Sequence, residues 1–398
     1  MRFASVLNEM EISRRALLAG SGAITATALT KSTSRWTMPS VEASSPNAPS
    51  QTAVSAAEYL DWTDEEIKYW FLRPADGFNL FRQIAFANSD SCSFCEIARS
   101  ASDLPVYRFR IGNGPKHIVL MSGMHGCEPS GPRGLLAILD ALLSGSAPFG
   151  ISLNGSKLLT ALTIHVLPLV NPGGAGRYSA HFPDSWHGTW LRDWTDANKT
   201  RFLAEANQPS AFFFGSYVKK APMRFSPEQI AQWEATGHVL GSSLTDDGLD
   251  MWFDWDDTRG RETLALKRLL GSVRPDCVVD FHNFMFPSEV FAPTISSEGP
   301  IAREEAKIAA SIQEAWRGRN LRFHDAPPRP YPKPKEKYYE DYWLHNLGSR
   351  AIVVEVNGGM LATEGAEYDP HSNGAPLSRR ESLESVVTAV NAVLGHFA

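Results

Sequence analysis

The run His117–Ser122 (HIVLMS) leads without a break into Gly123-Met124-His125-Gly126-Cys127-Glu128. A short, nearly continuous apolar run of this kind is what a strand buried on both faces requires. Three more runs share that character: Leu162–Val170 (LTIHVLPLV), Cys277–Phe281 (CVVDF) and Ala351–Val356 (AIVVEV). Helical periodicity lies between them, at Leu135–Leu143, at Ser226-Pro227-Glu228 onward to about Leu240, and at Ile301–Trp316. An acidic first turn, Thr63-Asp64-Glu65-Glu66, marks a helix that begins near Ala56. Ser378-Arg379-Arg380-Glu381 has capping-box spacing and opens a C-terminal helix. Strands alternating with helices predict an α/β fold: a single large three-layer domain, with a mixed, mostly parallel twisted sheet between helices. No internal repeat is visible.

The strand ends carry the chemistry. The first run delivers His125 and Glu128, the third ends on His282, and the fourth ends on Glu355. Open α/β sheets bind ligands outside the carboxyl ends of their strands. Two imidazoles and two carboxylates are therefore expected at one edge. His-x-x-Glu alone is a weak motif, and the added His282 gives it weight. Zinc favours imidazole nitrogen and carboxylate oxygen, and a catalytic zinc keeps one position open for water. His125, Glu128 and His282 supply such a set for one zinc ion per chain. Glu355 is then not needed for coordination and can take a proton from water.

The chain resembles the zinc carboxypeptidases of the carboxypeptidase A type from about Pro105 to the C-terminus. The resemblance rests on His125-Gly-Cys-Glu128, Asn171-Pro172-Gly173-Gly174, Asp196-Ala197-Asn198-Lys199, Asp280-Phe-His282 and Glu355. It implies a carboxypeptidase-like (phosphorylase/hydrolase-like) fold, zinc held by His125, Glu128 and His282, and Glu355 as general base. It also implies that Asp196 backs His125 and fixes its tautomer, and that Asn198 helps hold a substrate carboxylate. The family's Asn-Pro-Asp-Gly has Gly173 in place of Asp. Lys199 stands where an arginine clamps the substrate's terminal carboxylate, and a lysine cannot make the bidentate fork; Arg201 lies close by. Arg192 and Arg177 are both candidates for the oxyanion-stabilising arginine, with Arg192 nearer the Asp196–Lys199 segment. Tyr331 matches the family's mobile tyrosine by its offset from the base, with Tyr338 behind it.

Composition closes off other classes. The chain has 398 residues, 38 Lys+Arg against 44 Asp+Glu and a formal charge of −6, so it lacks the basic surplus that phosphate binding needs, and no nucleic-acid partner is expected. With 43% hydrophobic and only 21% charged residues it is expected to fold around a sizeable core. Residues 1–50 are set apart. Ser13-Arg14-Arg15-Ala16-Leu17-Leu18 opens a weakly apolar stretch to about Leu29, which resembles a twin-arginine export signal and is too short and polar for a stable membrane span. The expectation is an exported, periplasmic or extracellular, protein that meets the export machinery through this segment. Residues 1–50 are thus read as signal and linker and 56–398 as the catalytic domain. Residues 203–259 are read as an insertion near the functional edge.

The insertion carries six aspartates between Asp246 and Asp257, which lack calcium-loop spacing and are expected as a solvated acidic loop. Its tryptophans, Trp233, Trp252 and Trp255, fit a substrate cleft and ordinary core packing equally well. Cys92-Ser-Phe-Cys95 has no thioredoxin-like setting and fits a local disulfide or two plain thiols. Cys127 is expected as a small buried side chain. Two functions are compatible with the hydrolytic centre: a carboxypeptidase acting on peptides, and a deacylase of the succinylglutamate desuccinylase or aspartoacylase type acting on N-acyl amino acids, since Asp280-Phe-His282-Asn283 resembles the Asp-Leu-His-Asn of those enzymes. A third, a non-catalytic binding protein on the same scaffold, predicts a damaged metal set or a lost base.

Overall fold

The computed structural model describes residues 68–69, 71, 73–126, 128–153, 155–181, 244–256, 258–284, 288–292, 299–328, 340–357 and 379–398. The described residues belong to one compact unit, Ala56–Ala398. It holds helices α1 Pro74–Ala87, α2 Ser130–Ser144, α3 Gly155–Ala161, α4 Pro172–His181, α5 Arg261–Val273, α6 Gly299–Gly318, α7 Glu340–Asn346 and α8 Arg379–Phe397. Its strands are β1 Cys92–Arg99, β2 Pro105–Ile111, β3 Lys116–Ser122, β4 Leu162–Leu167, β5 Cys277–Phe284, β6 Glu289–Phe291 and β7 Arg350–Asn357.

These strands form one sheet in the order β1-β2-β4-β3-β5-β7-β6. β4, β3, β5 and β7 run parallel, while β1, β2 and β6 add antiparallel flanks. All four expected strand runs are present and make up the parallel centre. The second stops at Leu167, because Pro168 has no amide hydrogen to continue the ladder. The expected helices at Leu135–Leu143, Ile301–Trp316 and the C-terminus are present as α2, α6 and α8. Those expected near Ala56 and at residues 226–240 lie almost wholly outside the described residues, which include only Lys68 and Tyr69 of the first.

Side chains alternate across each strand, so the sheet has two differently filled faces. One buries Ile118, Leu120, Ile164, Val279 and Ile352 under α1, α2, α6 and α8. The other buries Val119, Met121, Val278 and Ala351 against Leu266 and Leu270 of α5, Leu344 of α7, and Met251, Trp252 and Trp255. Along β5 this second face continues from Val278 to Asp280 and His282, and along β7 from Val353 to Glu355. The smaller core therefore grades into a polar cluster at the carboxyl ends of the strands.

Burial corrects one expectation in part, and free thiols decide between two others. Two aspartates of the insertion are not part of a solvated loop: Asp250 and Asp254 are 1% and 0% exposed. Asp254 accepts the backbone N–H groups of Arg259 and Gly260 just before α5, and Trp255 is fully buried in the second core. Cys92 and Cys95 form no local disulfide. Three residues apart on β1, they point to opposite faces, Cys92 buried and Cys95 exposed, both as free thiols.

Candidate metal centre

β5 and β7 pair in parallel with His282 opposite Glu355. The two side chains leave the same face of adjacent strands, about 4.8 Å apart in the hydrogen-bonding direction. His125 and Glu128 come from the loop between β3 and α2. That loop is held from three sides. Asn171 donates its backbone N–H to Gly123 O and its side-chain amide to Met124 O. Asn283, next to His282, accepts the Ser130 N–H with Oδ1 and so satisfies a buried donor at the start of α2 just beyond Glu128. Gly126 passes so close to the next segment that a Cβ would lie 2.1 Å from Ala175 N. Only glycine fits between the two loop ligands.

The result is a buried cluster. Glu128 bridges both imidazoles: Oε1 lies 2.7 Å from His125 Nδ1 and Oε2 lies 2.8 Å from His282 Nδ1. The donor atoms of His125, Glu128 and His282 all lie within 4.8 Å of one another. The rings present Nδ1 inward and Nε2 outward. His282 Nε2 meets Asp280 Oδ2 at 2.7 Å, and His125 Nε2 lies 3.6 Å from Asp250 Oδ1. The Trp252 ring covers both, with centroids 5.8 Å from His125 and 5.5 Å from His282.

Electrostatics show what this pocket is built to hold. Burial works against charge on His125, yet Glu128 and Asp250 raise its pKa to about 10. His282 is likewise raised well above its ordinary value, against burial, by Asp280 and Glu128. Glu128 is held low, against burial, by the two imidazoles. His165, which pairs with His117 at 3.1 Å farther along the same face, is the opposite case. Burial first, then Arg108, His117 and Arg110, push it down to about 3, so it stays neutral and outside the cluster. Glu355 is 3% exposed. Burial, with Glu128 and Asp280 adding to it, raises its pKa to about 8 against the pull of the histidines. Among the described residues its buried Oε2 has no hydrogen-bond partner. The donor set thus fits zinc: two inward nitrogens and a carboxylate, outer carboxylates behind the rings, and a further carboxylate beside them.

The four residues expected at the strand ends come together. Arg177 falls on α4. Arg192, Asp196, Asn198, Lys199, Arg201, Tyr331 and Cys127 lie outside the described residues. Asp250 was missed in the sequence, where it reads as one acid among six.

Residues 78–202 match the family model described as zinc carboxypeptidase. That span includes His125 and Glu128 and ends before His282 and Glu355, which the fold adds. No curated protein matches the sequence. Among solved structures, a metallo-carboxypeptidase from Burkholderia cenocepacia is similar, with 13% identity and a TM-score of 0.52, over 81% of this chain and 68% of that one. Thrombin activatable fibrinolysis inhibitor is similar with 13% identity and a TM-score of 0.51, over 83% of this chain and 78% of that one. At such identity the likeness is one of fold. The fold, the partial family match and the donor set are together similar to those of zinc carboxypeptidases.

Proposed function

We propose that the protein is a zinc metallocarboxypeptidase that cleaves a peptide or amide bond with Glu355 as its general base. The observation that carries this is the bridging of His125 and His282 by Glu128 beside an unpartnered, buried Glu355. His125, Glu128 and His282 would hold zinc, which would supply Lewis-acid chemistry and activate water. The buried Glu355 beside them would be kept in the ionised form a base needs by the positive charge bound there. Glu355 takes a proton from the attacking water as its oxygen adds to the carbonyl carbon. It returns that proton to the leaving nitrogen as the C–N bond breaks. Trp252 walls off bulk water from the two ligand rings. Arg192 or Arg177 would share the charge on the former carbonyl oxygen, and Asn198, Lys199, Arg201 and Tyr331 would contact substrate.

An intact donor set and a base in register with it speak against a binding-only role. The deacylase alternative draws on Lys199 and on Asp280-Phe-His282-Asn283. Peptides with free and with amidated C-termini, assayed beside N-acyl amino acids, separate the two. Glu355→Gln should retain zinc and lose about 10²–10⁴-fold in turnover; hydrolysis at the wild-type rate would remove Glu355 as base. We also infer from Arg14-Arg15 that the enzyme is exported, and Arg14→Lys with Arg15→Lys should leave it in the cytoplasm on cell fractionation.

A further inference from the structure

We infer that the second face of the sheet carries a binding site separate from the metal centre: Arg108, Arg110, His117 and His165 form a cradle for a doubly charged oxyanion such as phosphate or sulfate. The inference does not depend on the function proposed above. Strand register puts the four side chains together. Arg110 on β2 stands opposite His165 on β4, and His165 stands opposite Val119 on β3. Arg108 and His117 are each two residues along their strands from these positions, so all four leave the same face. The two imidazoles lie nearly parallel, at 17°, with His117 Nδ1 3.1 Å from His165 Nε2. His117 is about 17 Å back along β3 from Ser122, at a strand rise of about 3.3 Å per residue. The apolar part of this face, Val119, Met121 and Leu167, packs under Leu266 and Leu270 of α5. The polar part opens toward β1, where Ser93 and Cys95, opposite Arg110 and Arg108, are exposed.

What this cradle lacks is an acceptor. Among the described residues no carboxylate pairs with either arginine. The carboxylates nearest in sequence and pairing are engaged elsewhere: Glu96 with Arg99 at 2.7 Å, and Asp276 with the backbone N–H of His117 at 2.8 Å. Like charges held side by side on neighbouring strands cost stability. Burial, then Arg108, His117 and Arg110, already hold His165 in its neutral form. Two nitrogens are left over. His165 is 2% exposed, and its Nδ1 and the Nε of Arg108 are both buried without a hydrogen-bond partner among the described residues. Arginine Nε can only donate, and a buried donor without an acceptor is costly. When His117 donates to His165 Nε2, the neutral ring carries its own proton on Nδ1 and offers a second such donor. An oxyanion supplies acceptors for both and offsets the repulsion. Guanidinium groups match the oxygens of phosphate and sulfate in a fork. Two permanent charges beside a protonatable His117 favour a dianion over chloride.

The test uses the full, zinc-loaded chain. Melting temperature is followed against inorganic phosphate, sulfate and phenyl phosphate, with chloride holding ionic strength constant, for wild type, Arg108→Gln, Arg110→Gln and Arg99→Gln. Wild type should gain melting temperature along a saturating curve. Arg108→Gln and Arg110→Gln should need about 10–100-fold more anion for the same gain. Arg99, which pairs with Glu96, should respond as wild type when changed to Gln. In buffer with chloride alone, Arg108→Gln and Arg110→Gln should melt no lower than wild type, because each relieves the repulsion; a merely structural arginine would lower it. Half-saturation at a lower concentration of phenyl phosphate than of phosphate names an ester as the source, and the reverse order names the free ion; either fits the cradle. No saturating gain with any of the three anions would overturn the site. So would a gain that both variants keep, which places the ion elsewhere, an equal loss in Arg99→Gln, which reduces the effect to net charge, or variants that melt lower than wild type in chloride.

Discussion

The candidate site is built in two halves by different means. His282 and Glu355 stand on β5 and β7 at one register, so the backbone ladder itself sets their spacing. His125 and Glu128 stand on a loop, which Asn171, Asn283 and the bare backbone of Gly126 hold in place. The carboxylates behind the rings follow the same division. Asp280 is two residues from His282 on its own strand and meets it at 2.7 Å. Asp250 arrives from more than a hundred residues downstream and stops at 3.6 Å from His125. A strand places a ligand for the cost of its own pairing, whereas a loop needs a separate prop for each degree of freedom.

The largest expected effect follows from removing a prop of the loop half. Gly126→Ala places a Cβ against the backbone of Gly174 and Ala175. It should abolish zinc uptake at micromolar metal while costing only about 1–3 kcal/mol of stability, because the strand half is untouched. Zinc retained in that variant by metal analysis would show that the loop yields freely. Next comes Asp280→Asn. It should weaken zinc by about 10–100-fold, as Asp250→Asn should, but unlike that variant it should also lower the metal-free melting point, because it loosens a 2.7 Å contact inside the sheet. Equal melting points for the two variants would erase the distinction between the halves. The effect of pH is graded, and per pH unit it is the smallest. His125, raised to about 10, is protonated in the metal-free protein at neutral pH. Zinc must displace that proton, so apparent affinity should rise by about tenfold per pH unit between pH 7 and about 10 for each proton released. Calorimetry in buffers of different ionisation enthalpy counts the protons, and a count of zero would contradict the charged state of the empty cluster.

The two halves also differed in how far the sequence disclosed them. Four ligand and base residues were legible because each follows an apolar run, and a strand end is a place in the fold as well as in the chain. β1, β2 and α1 were not marked. In β1 the buried Cys92 is followed by exposed or half-exposed residues, so apolar runs do not announce it. Asp250 was hidden for a tertiary reason. The segment that carries it is held through Leu244 and Asp246 by Asn171 and Ser102, far away in the chain, and nothing in an acidic run distinguishes the one aspartate that faces a histidine. The gap at Gly173 was noticed as a departure, but its use as the seat of Asp246 needs the folded chain.

The arrangement of thiols along β1 has a practical use. Cys92 is buried, and burial pushes its pKa up to about 12, while the fully buried Cys277 is raised further in the same direction. Neither forms much thiolate in neutral water, and a thiolate is what alkylating reagents attack. Cys95 alone among these three stands exposed. Among the described cysteines, a maleimide dye added under mild conditions should therefore mark the outer edge of the sheet at residue 95, giving a fluorescent reporter fixed to the scaffold.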